Sequence, residues 1–310
     1  MKKEKIYIIG SGAIGRALAV FLQHENKEVI LVRGSVDNVP DEKVLITVTN
    51  QDNQKFQQKI ITATFSNLAD INGIVLITAK SFANAELAKK LKTKPGHFSI
   101  VLLQNGLNIE KPFESFDNVY RCVLFSTSQI TDKNIVSFKM VTDSPVGNLQ
   151  SKNANLDAII KQINTPYLGF KSEPDILKVV WEKVIINCAF NSICPLLETD
   201  NGIFHRNTEA TQLAKIIIAE CVTLAYKLGI ILEQKEIEER LQLISKRADG
   251  QLISTYEDIR NKRKTEIDCL NLEISRLANE IGMSELVSNT RLLGEMIQLK
   301  SKITISGKAI

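Results

Sequence analysis

A lysine and two asparagines are spaced four residues apart in the stretch 181–195, WEKVIINCAFNSICP, and could together hold a polar ligand. Lys183, Asn187 and Asn191 fall on one face of a helix, because an α-helix has about 3.6 residues per turn. The residues around them are mostly apolar, which predicts a buried helix with a single polar stripe. Such a stripe needs polar partners, and a ligand that carries a carboxylate and a carbonyl would supply them. The alternative is a helix edge that faces water.

A glycine-rich segment near the N-terminus could bind the phosphates of a cofactor. Its residues are Gly10, Ser11, Gly12, Ala13, Ile14 and Gly15. The apolar run 6–9 predicts a strand before it, and the pattern of residues 13–23 predicts a helix after it. In this context Gly10 permits a tight turn, Gly12 allows a pyrophosphate to approach, and Gly15 lets the helix pack on the strand. The segment therefore predicts a dinucleotide site, with an ordinary glycine-rich turn as the alternative.

An arginine occupies the position that decides between the two nicotinamide cofactors. Arg33 follows the second predicted strand, 29–32, where NAD-binding domains carry an acid that holds the ribose 2′-hydroxyl. A guanidinium binds a 2′-phosphate instead, so the sequence favours NADP. A solvated loop arginine is the alternative.

Two further polar residues follow predicted strands. Lys80 comes after the strand 74–78, and Asn105 comes after the strand 98–103. Ligands of doubly wound sheets bind at the carboxyl ends of the strands, so both side chains could reach a cofactor. A solvated lysine and an Asn-Gly turn are the alternatives.

The chain pattern predicts an α/β protein with an N-terminal Rossmann-type doubly wound sheet and a second, all-helical C-terminal domain. The boundary falls in the segment 165–172, which divides the chain into residues 1–168 and 169–310. Further strands are expected at 44–49, 59–65, 119–126 and 135–141, the pair 44–49 and 59–65 as an antiparallel excursion at the sheet edge. Helices are expected at 82–91, 153–163, 176–193, 209–228, 234–245, 265–281 and 285–300, and a tail at 301–310.

Three polar residues of the second half are also site candidates. Asn201 lies in a loop after the central helix, and Ser254 opens the highly charged segment 254–268, which is typical of an exposed loop. Glu266 is expected in the first turn of a helix, where the helix dipole favours a carboxylate.

Composition describes a soluble globular protein. Of the 310 residues, 44% are hydrophobic and 24% are charged, and the net charge of +4 is spread along the chain, which does not suggest nucleic-acid binding. Five cysteines without a C-x-x-C pair are expected as free thiols, and three scattered histidines give no metal-ligand spacing. Because no apolar run reaches transmembrane length and no signal peptide is recognisable, we expect a cytoplasmic protein without a membrane partner.

Taken together, these motifs resemble the ketopantoate reductases, also called 2-dehydropantoate 2-reductases. Besides the arginine after the second strand, the matching segments are IYIIGSGAIGRAL, LITAK, LLQNG, EKVIINCAFNSICPL, TDNG and STYEDIRNKRKTEIDCLN. The resemblance covers nearly the whole length and implies that Lys183 is the general acid. It further implies a substrate site of Asn187, Asn191, Asn201 and Ser254. Lys80, Asn105 and Glu266 would serve the cofactor.

The function implied by the resemblance is NADPH-dependent reduction of the ketone of 2-dehydropantoate to pantoate, on the route to pantothenate and coenzyme A. Hydride addition leaves negative charge on the ketone oxygen, which Lys183 would stabilise and protonate without a metal. The partner is then a small 2-oxo acid, and the resemblance also allows a homodimer. Two alternatives stay open, a reductase of another 2-oxo acid and a non-catalytic nucleotide-sensing protein.

Overall fold

The chain folds into two compact units. A computed structural model describes residues 4–149 and 156–307. The first unit comprises residues 1–105 and 109–176, and the second comprises residues 106–108 and 177–310.

The first unit is built on a single sheet of eleven strands among its described residues. The strands are β1 (Lys5–Ile9), β2 (Val29–Arg33), β3 (Glu42–Thr49), β4 (Lys55–Thr64), β5 (Gly73–Ile77), β6 (Phe98–Leu102), β7 (Val119–Cys122), β8 (Ser126–Asp132), β9 (Ile135–Met140), β10 (Ser144–Asn148) and β11 (Phe170–Ser172). Their order is β11-β10-β7-β6-β5-β1-β2-β4-β3-β9-β8. In the stretch β7-β6-β5-β1-β2-β4 of this order, each strand is parallel to its neighbours. The predicted Rossmann-type sheet is confirmed.

Three helices of this unit are α1 (Ala13–His24), α2 (Asn84–Lys92) and α3 (Leu156–Ile163). The helix expected at 153–163 is described only from Leu156, because residues 150–155 lie outside the described ones. Buried on both faces, the central strands read as short continuous apolar runs, as parallel strands covered by helices do.

The sheet continues past its parallel centre and brings a hairpin turn to the start of α1. The predicted antiparallel pair is β3 with β4, but it does not lie at the sheet edge, because β3 also pairs with β9. The β8–β9 hairpin is thereby added beyond it. In the turn of this hairpin, Asn134 accepts a hydrogen bond from Arg16 of α1 (3.3 Å). A hairpin turn from far along the sequence thus contacts α1 just after the glycine loop.

An aromatic cluster fixes α1 against these added strands. The ring of Phe21 lies 5.4 Å from Phe56, 5.1 Å from Phe138 and 5.4 Å from Tyr167, centroid to centroid. Edge-to-face and stacked pairs of this kind contribute roughly 0.5–1.5 kcal/mol each beyond their buried area. The cluster holds α1, and with it the loop that precedes α1.

The second unit contains helices and no sheet strand among its described residues. Its helices are α4 (Ile176–Leu196, whose first residue belongs to the first unit), α5 (Ile203–Arg206), α6 (Thr208–Lys227), α7 (Gln234–Arg247), α8 (Ser254–Arg260), α9 (Asn271–Glu280) and α10 (Ser288–Ser306). Among the described helices, only α4 is long and apolar enough to cross a membrane, which the sequence pattern had not indicated. Since 78% of its apolar window is buried inside the protein, α4 is a core helix.

Several predicted boundaries differ from the structure. The first unit extends past residue 168 to Ile176, because β11 pairs with β10. The segment 254–268 is not simply a loop, since it begins with α8. The helix expected at 265–281 starts only at Asn271, after a 3-10 turn at Ile267–Cys269. The expected tail is helical as far as Ser306, because α10 continues through it.

Asp37 fixes the connection between β2 and β3. The hydroxyl and the backbone N–H of Ser66 lower the pKa of Asp37 to about 2, from an ordinary value of 3.8. A carboxylate with a depressed folded-state pKa stabilises the fold above about pH 4, and the stabilisation is lost as pH falls toward 2. We therefore expect Asp37→Asn to lower Tm at pH 7. The difference in Tm between wild type and this variant should shrink as the pH falls from 4 to 2. A difference in Tm that stayed constant over this range would contradict the lowered pKa of Asp37.

Candidate active site

The glycine loop leaves open space where a phosphate has to approach. Gly12 is the N-cap of α1, and a Cβ added to Gly12 would meet no atom within 4 Å. No acidic residue lies in the first turn of α1, so the positive end of the helix dipole is not neutralised there. The backbone of the loop at Ser11, Ala13 and Ile14 therefore borders an opening suited to an anion.

The other two glycines of the loop are required by close packing. A Cβ on Gly15 would lie 1.9 Å from the carbonyl oxygen of Gly10, and one on Gly10 would lie 2.5 Å from the backbone N of Ala79. The hydroxyl of Thr78 donates to this Gly10 carbonyl oxygen (3.0 Å). The loop is thus held from the end of β5, and Thr78 is a supporting residue that the glycine pattern alone does not indicate.

Arg33 lies at the end of β2, as predicted, but it has an acidic partner. Its guanidinium forms an ion pair with the carboxylate of Glu42, the first residue of β3. Both residues line a cavity of about 500 Å³ that reaches Ser11 of the glycine loop. The remaining lining residues are Arg16, Leu31, Lys43, Val44, Leu45, Ile46, Thr62, Lys133 and Asn134. A cavity with four cationic side chains beside the glycine loop is suited to a phosphorylated nucleotide.

Lys80 and Asn105 follow adjacent parallel strands and so lie at the same sheet edge. The strands β5 and β6 pair Ile77 with Leu102, and both polar residues come three positions later. Lys80 and Asn105 are each half-buried. The structure thus brings these two predicted cofactor residues to one edge of the first unit.

A buried amide pair braces the loops that carry Lys80 and Asn105. The Gln104 amide donates to the Ala79 carbonyl oxygen and to Asn84 (2.6 Å each), and Asn84 donates back to Gln104 (3.0 Å). The buried Arg121 donates to the Gln104 carbonyl oxygen (3.0 Å). The sequence pattern does not indicate these supporting residues, although Gln104 belongs to the same LLQNG segment as Asn105.

The polar stripe of α4 lies on a helix whose other residues between 180 and 195 are all buried. Lys183 and Asn187 are half-buried, whereas Asn191 is 2% exposed. The two cysteines that flank the stripe are inert, because burial raises the pKa of Cys188 well above its ordinary value and that of Cys194 to about 12. The stripe, and not these thiols, is therefore the candidate for chemistry on this helix.

Asn191 joins the stripe to the start of α8. Its carbonyl oxygen accepts from the backbone N–H of Thr255 (3.3 Å) and from the hydroxyl of Ser254 (3.4 Å). Its amide donates to the main-chain oxygen of Asn187 (3.0 Å). The structure thus brings Asn187, Asn191 and Ser254 together, with Asn191 engaged in holding the N-terminus of α8.

Asn201 is tied to the same segment through the backbone. Its N–H donates to the carbonyl oxygen of Gln251 (2.9 Å), three residues before Ser254. Asn201 is 6% exposed, and its side-chain carbonyl oxygen has no hydrogen-bond partner among the described residues. A buried acceptor of this kind is suited to a hydroxyl or N–H donor from a ligand.

Glu266 belongs to the second unit, whereas Lys80 and Asn105 belong to the first. It is half-buried and precedes the 3-10 turn instead of lying in the first turn of an α-helix as predicted. Its main-chain oxygen accepts from the backbone N–H of Cys269 (3.1 Å). The reason for the difference is Leu270, whose backbone (φ −113°, ψ −109°) separates the turn from α9.

The described residues contain no group of three or more histidine, cysteine or acidic side chains placed to hold a metal ion. All five cysteines are free thiols, as expected from their spacing.

Known proteins resemble this chain over nearly its whole length. A 2-dehydropantoate 2-reductase of Streptococcus pyogenes serotype M6 is 25% identical over 307 residues, which is 96% of this chain and 98% of the relative. A D-mandelate dehydrogenase, solved with NADH and anilino(oxo)acetate, shares the fold with a TM-score of 0.84 at 20% identity, covering 97% of this chain and 99% of that one. A dimeric ketopantoate reductase from Staphylococcus aureus has a TM-score of 0.77 at 20% identity, with coverage of 96% and 99%.

Two family descriptions match consecutive parts of the chain. Residues 6–150 match the family "Ketopantoate reductase PanE/ApbA", and residues 175–300 match its C-terminal part. The two matches contain both the glycine loop and the polar stripe of α4. With its Rossmann-type first unit and helical second unit, the chain belongs to the ketopantoate reductase family of oxidoreductases.

Proposed function

We propose that this protein reduces the ketone of 2-dehydropantoate to the hydroxyl of pantoate with NADPH, on the route to pantothenate and coenzyme A. The observation that carries the proposal is the polar stripe of α4, where Lys183 lies one turn from Asn187 and the other residues between 180 and 195 are buried. The hydrogen bond between Ser254 and Asn191 adds a hydroxyl to these groups. Family membership supports the reaction class.

The first unit fits a nicotinamide dinucleotide. The open space at Gly12 and the unneutralised start of α1 suit a pyrophosphate, and the adjoining cavity contains Arg33. The remaining loop residues, Gly10 and Gly15, hold the turn in shape. Lys80 and Asn105 would contact the cofactor from the ends of β5 and β6. Bound NADPH would supply the hydride.

The second unit supplies the groups that a 2-oxo acid needs. Negative charge develops on the ketone oxygen during reduction, and the Lys183 ammonium stabilises that oxygen and gives it a proton. The Asn187 amide and the Ser254 hydroxyl orient the substrate, while Asn191 binds it and holds Ser254 in place. The unpaired carbonyl oxygen of Asn201 accepts a hydrogen bond from a substrate hydroxyl.

The assignment of NADPH is tested at Arg33. We expect Arg33→Asp to raise the KM for NADPH by roughly 10- to 100-fold, because a charge-assisted hydrogen bond to phosphate contributes about 1.5–3 kcal/mol. The KM for NADH should change far less, and added salt should weaken NADPH binding more than NADH binding. Steady-state kinetics with both cofactors measure the two KM values. The variant Arg33→Gln removes the cation without adding an acid, so it separates these two effects. Equal effects on both cofactors would show that Arg33 does not contact the 2′-phosphate.

A second candidate function is the reduction of a different 2-oxo acid. The observation in its favour is the fold similarity to a D-mandelate dehydrogenase solved with NADH, at a TM-score of 0.84. Oxidation of NADPH and of NADH should be followed with 2-dehydropantoate, phenylglyoxylate and 2-oxoisovalerate. We expect the highest kcat/KM for 2-dehydropantoate with NADPH. Binding of NADPH without turnover of any substrate would instead favour a nucleotide sensor.

We also propose a cytoplasmic protein that acts on its small substrate without nucleic acid or membrane, and a homodimer in solution. The burial of α4 supports the soluble state. The dimeric relative from Staphylococcus aureus supports the assembly. Sedimentation velocity of the purified protein measures the oligomeric state directly.

A further inference from the structure

The ion pair between Arg33 and Glu42 places an acid beside the end of β2, where the sequence pattern predicted none. Arg33 ends β2, and Glu42 begins β3, two strands away in the sheet. Glu42 lies opposite Thr62 of β4, and Thr62 lies opposite Leu31 of β2. The carboxylate therefore reaches the end of β2 across the intervening strand.

Glu42 is the acid in this segment that faces the cavity. Asp37 accepts hydrogen bonds from Ser66, and Asp41 accepts one from the Asn67 amide (2.7 Å). Among the described residues that line the cavity, Glu42 carries the sole carboxylate. It is thus the one acid of the lining that a nucleotide in this cavity would meet.

A second observation indicates that the cavity is a binding site. Thr62 is 4% exposed, and its hydroxyl has no hydrogen-bond partner among the described residues. A buried hydroxyl without a partner costs free energy, and Thr62 lines the same cavity as Arg33 and Glu42. A bound ribose or phosphate would supply the missing partner.

We propose that Glu42 is a residue that determines cofactor specificity by competing with the 2′-phosphate for Arg33. This inference rests on the proposed binding of a nicotinamide nucleotide in the first unit. A 2′-phosphate that binds Arg33 has to replace the Glu42 carboxylate and then lies near its negative charge. A free ribose 2′-hydroxyl, in contrast, can donate a hydrogen bond to Glu42, as it does to the acid of NAD-binding domains.

The consequence is a smaller preference for NADPH over NADH than Arg33 alone would give. Arg16, Lys43 and Lys133 line the same cavity and keep it attractive to a phosphate, so Glu42 reduces the preference without inverting it. The competing explanation is a surface ion pair without effect on ligands, since exposed pairs often contribute little.

The test is a calorimetric titration with adenosine 2′,5′-bisphosphate and with 5′-AMP, which differ by the 2′-phosphate alone. We expect Glu42→Gln to bind the bisphosphate about tenfold more tightly, because a like charge is removed, and 5′-AMP equally or more weakly. Asp41→Asn is the matched control: it neutralises the neighbouring acid, whose partner is Asn67, and should leave both Kd values within about twofold of wild type.

A double-mutant cycle shows whether the effect of Glu42→Gln on bisphosphate affinity depends on Arg33. In an Arg33→Gln background, Glu42→Gln should tighten the bisphosphate by a smaller factor than in wild type. An unchanged Kd for the bisphosphate in Glu42→Gln, with wild type binding normally, would overturn this inference and leave the proposed function standing. Failure of wild type to bind NADPH, NADH and both adenosine nucleotides would overturn both.

Discussion

Replacing Lys183 by alanine is expected to lower kcat by roughly 10²- to 10⁴-fold, the usual contribution of a positioned proton donor. The ketone oxygen would then develop its charge without a cation and take its proton from water. NADPH affinity should change little, because the glycine loop and Arg33 belong to the first unit and Lys183 to the second. Stopped-flow turnover and a separate NADPH titration measure the two effects.

The fold should survive this substitution. Lys183 is half-buried, unlike its buried neighbours on α4, so alanine should cost no more than about 0.5–1 kcal/mol of unfolding free energy. Lys178→Ala is the matched control, since Lys178 is another half-buried lysine of α4 and lies outside the stripe. Near-normal turnover in Lys183→Ala would contradict the assignment of Lys183 as the general acid. A loss of turnover in both variants would point to α4 as a whole instead of to the ammonium group.

Lys183→Arg separates charge from proton donation. Arginine keeps the positive charge, but its guanidinium does not readily release a proton, and its planar fork suits a carboxylate better than a single oxyanion. We therefore expect this variant to stay at least about 100-fold below wild type in kcat. Recovery of activity with arginine would mean that the charge alone is needed at this position.

The sequence predicted those features that depend on short stretches of chain. The glycine loop is a local pattern between a strand and a helix, and the stripe of α4 follows from helical spacing alone. Both are present in the structure, and the Rossmann-type sheet with a helical second unit is confirmed. The roles of the individual site residues stay predictions until the variants are measured.

The features that the sequence did not predict depend on contacts between distant segments. The three-residue strand β11 is too short to carry a periodic pattern and forms by pairing with β10, which extends the first unit beyond residue 168. Ser254 begins a helix whose start is held by Asn191, 63 residues earlier. Glu42 reaches Arg33 only because the sheet places β3 next to β4 and β4 next to β2. Sheet order of this kind has no local signal in the chain.

Gly12→Val is expected to weaken NADPH binding strongly while leaving the fold intact. A Cβ at Gly12 meets no atom within 4 Å, and the backbone (φ −72°, ψ −176°) suits any residue, so Tm should stay within a few degrees of wild type. With nucleotide present, the valine side chain would occupy the space that the pyrophosphate needs. Losing one charge-assisted hydrogen bond costs about 1.5–3 kcal/mol, so displacement of the phosphates should weaken binding roughly 100-fold or more.

Gly15→Ala serves as the contrast, because it should lower the stability of the fold as well as NADPH binding. Its Cβ would lie 1.9 Å from the Gly10 carbonyl oxygen, so the loop or the helix has to shift even without a ligand. We expect a lower Tm together with weaker NADPH binding, since overpacking costs about 1–3 kcal/mol. Fluorescence titration with NADPH and thermal unfolding of both variants separate the two cases. Normal NADPH binding by Gly12→Val would show that the phosphates lie elsewhere, because a valine cannot share that space with them.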